Sequence, residues 1–159
     1  MTIKNYSRLE LASNQLEAAI GLFISGGDRF SVITLAGAAD VILSRLILNR
    51  GKENFTDVML KSESNKEQKN REEFGREVNN LFFINQLKHL DPDDDGYIDL
   101  EPEECAIGAI LKALPNHIML TGQREGFVNV FLLWIKQNLD PKIYNVDCDP
   151  NWVPSREES

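Results

Sequence analysis

Ile33-Thr34-Leu35-Ala36-Gly37-Ala38-Ala39-Asp40-Val41-Ile42-Leu43 is the stretch whose reading decides the fold. It lies within a run from about Phe30 to Asn49 that is apolar on most of its circumference and is followed by Gly51. A helix with that pattern is covered on most sides, so the run reads as the central helix of a helical domain. The small residues Ala36 to Ala39 let a second helix approach it closely. Asp40 sits in the most apolar part of the run, and a carboxylate there needs a partner to offset lost hydration. Lys88, His89 and Arg45 are the candidate partners.

The flanking segments also read as helices. Upstream, Ser7 can cap a helix whose apolar residues Leu9, Ala12, Leu16, Ala19, Ile20 and Phe23 recur at spacings of three and four. Gly26-Gly27 ends it and Asp28 can cap the central helix. Downstream, residues 51–68 are polar, with Thr56 placed to cap a short helix from Asp57 to Lys61. Residues 62–70 read as a solvated charged loop, and Gln68 to Leu90 as a long helix. Pro102 fits a first helical position, with Glu103 and Glu104 complementing the helix N-terminus. Ala106, Ile107, Ile110, Leu111 and Leu114 form an apolar stripe that Pro115 should kink or end, with a resumption through Leu120. A last helix runs from about Glu125 to Asn138 and stops at Asp140-Pro141. There is no sustained alternating pattern and no internal repeat. The expected fold is all-α, one bundle of about five helices over residues 1–140, with 141–159 an irregular tail.

Charge is unevenly placed within the formal net of −8. Residues 1–90 hold 12 Lys+Arg and 11 Asp+Glu, whereas residues 91–159 hold 5 and 14. Such a C-terminal half repels polyanions and disfavours nonspecific nucleic-acid binding. The two cysteines, Cys105 and Cys148, make no disulfide framework and read as free thiols of a reducing compartment. The first 25 residues lack a secretory pattern, and the apolar stretch Val32–Leu48 is broken by Asp40 and Arg45. A cytoplasmic protein without membrane contact is the expectation.

Most polar chemistry is concentrated in Asn85 to Leu100. Asp91, Asp93 and Asp95 fit the first, third and fifth ligand positions of a calcium loop. Gly96 takes the sharp turn, Tyr97 supplies a carbonyl, Ile98 the apolar residue and Asp99 the ninth position. The twelfth position, where a bidentate acid belongs, is Pro102. Glu103 or Glu104 would reach an ion only by a shift of register. The other reading is an acidic turn in which aspartates bond to nearby backbone amides.

Several stretches together resemble a bacterial family of HEPN-like helical proteins (higher eukaryote and prokaryote nucleotide-binding). They are Gln15 to Phe23, Ile33 to Leu43, Asn85-Gln86-Leu87-Lys88-His89, Leu120-Thr121-Gly122 and the Phe127 to Trp134 helix. The resemblance implies a helical bundle, commonly dimeric, and in many members a metal-independent ribonuclease. Such an enzyme uses an Arg that holds the scissile phosphate and a His that moves the 2′-hydroxyl proton. Carried onto this chain, the His is His89, Asn85 is the polar residue after the Arg, and the Arg position is Ile84. Isoleucine cannot bind a phosphate. Lys88 is then the only cation placed to substitute for it, and Asp40 a supporting residue.

Three functions are left open. The first is a noncatalytic interaction or regulatory module, homodimeric through apolar helix faces, with a protein partner and ties to defence or stress systems that only the resemblance implies. The second is a ribonuclease acting through Asn85, Lys88 and His89. The third is a calcium module using Asp91, Asp93, Asp95, Tyr97 and Asp99. His117, beside Pro115, reads as a surface residue.

Overall fold

The computed structural model describes residues 1–62, 78–80 and 83–139. The chain is all-α, a helical bundle with no strand among these residues. Helix α1 spans Arg8–Ile24, α2 Arg29–Asn49, α3 Phe55–Ser62, α4 Pro102–Thr121 and α5 Phe127–Asn138. The long helix expected over Gln68 to Leu90 falls mostly outside the described residues, as does the tail after Leu139.

The ends of α1 and α2 follow the chemistry of their capping residues. Ser7 Oγ accepts from the Glu10 amide at 3.0 Å, and Asp28 Oδ2 from the Ser31 amide at 2.8 Å. Between the two helices Gly26 takes φ +74°, the left-handed conformation that glycine adopts without steric cost. Arg29 then ties this turn to α4. Its Nη1 donates to the Phe23 and Gly27 carbonyls at 3.1 Å each, its Nε pairs with Glu103, and its guanidinium lies 4.3 Å from the Phe23 ring centroid.

Helix α2 is the central element, packed against both α1 and α4. Its buried set includes Val32, Ile33, Ala36, Gly37, Ala39, Leu43 and Ile47. Facing them are Leu16, Ile20 and Phe23 of α1 and Ile107, Ile110 and Leu114 of α4, all in the same core. Each large apolar side chain buried in this way stabilises the fold by about 1.5–3 kcal/mol. By length and composition alone α2 could cross a membrane; in this fold one face of it lines the core and carries a buried ion pair, while Phe30 and Val41 are exposed. Helix α5 closes the α1 side, where Phe131 meets Phe23 edge to face at 5.7 Å and Trp134 does so at 4.7 Å.

Three local expectations are corrected. Asn54, not Thr56, starts α3: Asn54 Oδ1 accepts from the Asp57 amide while Asp57 Oδ2 accepts from the Asn54 amide, both at 3.0 Å. This reciprocal pairing satisfies two donors at once, and Thr56 is buried inside the helix it was expected to cap. Pro115 does not end α4, which is continuous through Thr121. The lost amide bond is tolerated where Ala113, Leu114, Asn116 and His117 on both sides are held in the core. Thirdly, the segment before the acidic loop is not helical to Leu90. Residues 83–88 are turns, entered through Phe83 at φ +56°, a left-handed conformation that stops a helix.

Candidate functional site

The site is built on two neighbouring positions of α2, Gly37 and Asp40, which lie three residues apart on one face. Gly37 has no side chain, and the space is filled by Ile84. A Cβ built on Gly37 would stand 2.5 Å from Ile84 Cγ2. Ile84 is 1% exposed and belongs to the core. The close approach expected at the small-residue run is therefore made by a side chain from the 83–88 turn.

Asp40 is 3% exposed and its partners are not those expected. Arg45 and His89 are exposed, and neither bonds to it. Instead the Lys112 ammonium of α4 pairs with Asp40 Oδ2, and Asn116 Nδ2 donates to Oδ1 at 2.8 Å. Ser44, one turn along α2, donates its hydroxyl to the same oxygen at 3.3 Å. Asn116 also reaches Ser44 Oγ at 3.1 Å, and its Oδ1 accepts from the Phe55 amide at 2.8 Å. The carboxylate is thus closed inside a network joining α2, α4 and the first turn of α3. This is the arrangement a buried charge requires.

Lys88 is the one expected neighbour that comes close. Although the residue is largely exposed, burial of its amine holds the ammonium below the ordinary lysine range; Asp40 opposes that shift and Lys112 adds to it. Lys88 therefore feels the charges of the buried pair without bonding to either. Asn85 Nδ2 points back to Asn80 Oδ1 at 3.4 Å, and the buried Gln86 Oε1 has no hydrogen-bond partner among the described residues.

Lys88 and His89 face a groove of about 290 Å³ whose other wall is Asp94, Gly96 and Ile98. Here the acidic stretch folds as a turn. Asp94 Oδ1 accepts from the Gly96 amide at 2.8 Å and Asp95 Oδ1 from the Tyr97 amide at 3.0 Å. Residues 91–99 are exposed, and among the described residues no three acids, histidines or cysteines gather to hold a metal ion. The helix that a calcium loop needs before Asp91 is replaced by the 83–88 turn. Glu101 caps α4 by accepting from the Glu103 and Glu104 amides.

His117 is a further correction, because it is fully buried rather than at the surface. Its Nε2 lies 3.1 Å from Ser13 Oγ of α1, its ring 5.2 Å from that of Phe127, and its Nδ1 has no partner among the described residues. Burial disfavours the imidazolium and pushes its pKa below the ordinary value. The unfolded chain takes up the proton first, so stability is complete above about pH 6.5 and falls as pH drops below it. Urea unfolding at pH 7.5 and 5.5 should show this loss, at most about 1.4 kcal/mol per pH unit. His117→Gln should flatten the slope between those values; an unchanged slope would refute the assignment.

Lys112 and Asn116 went unnoticed in the sequence, yet a signal exists. Lys112 is the only Lys, Arg, Asp or Glu between Cys105 and Gln123. An isolated charge on an apolar helix calls for an opposite charge, and Asp40 is the corresponding residue on α2. Comparison of the chain with family models, curated proteins and solved structures finds no match.

Proposed function

We propose that this chain is a HEPN-like helical interaction module in which packing occupies the place of the catalytic arrangement. The observation that carries the reading is Ile84, at 1% exposure in the notch of Gly37, where that group's ribonucleases need an exposed arginine. Phosphate capture requires donors that can reach solvent, and a core aliphatic side chain offers none. Two features support the same reading. Asp40 is spent on Lys112 and Asn116, and among the described residues no carboxylate bonds to His89 to orient it as a base. The left-handed Phe83 also takes Asn85 to His89 off the continuous helix on which such a motif depends.

The test is incubation of the full chain with single-stranded and hairpin RNA, with and without divalent cations. No cleavage above a buffer control is expected, with His89→Ala indistinguishable from the parent. Cleavage that disappears in His89→Ala would defeat the proposal in favour of the ribonuclease reading.

A further inference from the structure

An interaction module needs a surface, and we infer that the groove between Leu87–Leu90 and the Asp91–Asp99 loop docks a basic peptide segment of a protein partner, anchored by apolar side chains. The inference rests on the interaction-module reading and names its partner class. Leu87, Leu90 and Ile98 line the groove, and Tyr97 precedes Ile98 in the chain. Leu90 is 72% exposed, Tyr97 85% and Ile98 40%. Leu90 and Ile98 share this groove, with the exposed Tyr97 next to Ile98 in the chain, and exposed apolar groups gathered in this way mark contact sites.

Charge selects the occupant. Asp91, Asp93, Asp94, Asp95 and Asp99 are all exposed, and Lys88 is the only Lys or Arg between Gln86 and Asp99. Asp94 and Asp95 each spend one oxygen on holding the loop, which fixes Tyr97 and Ile98 outward before any partner arrives. The carboxylates of Asp91, Asp93 and Asp99 are exposed and make no hydrogen bond with a described residue, so their charges face solvent. Such a rim repels nucleic acid and acidic peptides and draws lysines and arginines to it. The groove, about 290 Å³, takes one or two large aliphatic side chains. The fit is to a short helical segment that carries Leu-like anchors on one face and basic residues flanking them: anchors fill the groove and bases meet the aspartates.

The experiment is a fluorescence-anisotropy titration of the full chain with a labelled peptide of about twelve residues, Leu and Lys at helical spacing. Peptides with Glu for Lys, and with Ser for Leu, are the comparisons. Two protein variants separate the terms: Leu90→Ala with Tyr97→Ala removes the anchors' contacts, and Asp91→Asn with Asp93→Asn and Asp99→Asn removes charge while sparing the loop bonds. All five positions are exposed, and circular dichroism reports whether each variant keeps its helices. The Lys/Leu peptide should bind, both variants should weaken it by about tenfold, and added salt should weaken it further. No binding overturns the inference, as does equal binding of the Glu peptide or indifference to Leu90→Ala with Tyr97→Ala. RNA cleavage lost in His89→Ala would instead remove the parent reading, whatever the peptide does.

Discussion

Lys112→Met is expected to lower folding stability by about 3–5 kcal/mol, and Asp40→Asn in the same chain to return most of that loss. The lysine is 5% exposed and the aspartate 3%, so neither charge can turn to water when its partner goes. In Lys112→Met the Asp40 carboxylate keeps the Asn116 amide and the Ser44 hydroxyl but loses its countercharge. Two neutral donors do not offset the desolvation of a full charge. Asn at position 40 keeps an oxygen for those donors and carries no charge, so the double variant has nothing ionised left inside. Denaturant unfolding of the four proteins closes a double-mutant cycle. A coupling energy below about 1 kcal/mol would mean the pair is solvated and the network nominal.

The second large effect concerns Gly37 and Ile84. Gly37→Ala should destabilise by about 1–3 kcal/mol although alanine is the better helix former by about 1 kcal/mol. Its methyl would meet Ile84 Cγ2 at 2.5 Å and Cγ1 at 3.3 Å, and a branched side chain in a closed core has little room to yield. Ile84→Ala alone should cost about 2–5 kcal/mol through the cavity it opens. The two changes together should cost clearly less than their separate sum, because the alanine methyl at 37 enters space that Ile84 vacates. Strict additivity would show that the notch is not shared. Ile84→Arg would force a guanidinium into the same core site and should therefore unfold the protein.

The fold was readable from the sequence because its strongest signals are local. The all-round apolarity of Phe30–Asn49 marked α2 as central, the spacing from Leu9 to Phe23 gave α1, and Ser7 and Asp28 fell at the caps. Local pattern also misled where tertiary context decides. Thr56 and Asn54 are both acceptable caps by type, and the reciprocal bond with Asp57 selects Asn54. Pro115 breaks helices by rule, yet α4 is pinned on both sides of it. The left-handed Phe83 has no composition signal, since such a conformation usually belongs to Gly or Asn.

The site was legible only in part. The sequence marks Asp40 as a buried charge needing a partner, but it does not say which of the four cations Arg45, Lys88, His89 and Lys112 faces it. The separation of Lys112 from Asp40 by 72 positions is invisible to any periodicity. Ile84 was read as a missing arginine; its role in filling the Gly37 notch needed the three-dimensional contact.

Asn116 has a consequence for the order in which the chain assembles. Its amide joins residues 61, 72 and 76 positions away, at Phe55, Ser44 and Asp40. The links to Ser44 and Asp40 cannot form until α2 and α4 lie side by side, and the link to Phe55 needs α3 against α4, because closing such loops costs entropy that only already packed helices recover. The N-terminal turn of α3 is therefore expected to close late in folding. Its Phe55 amide, held by a side chain rather than by the helix itself, reports by its exchange with solvent when the polar network has closed.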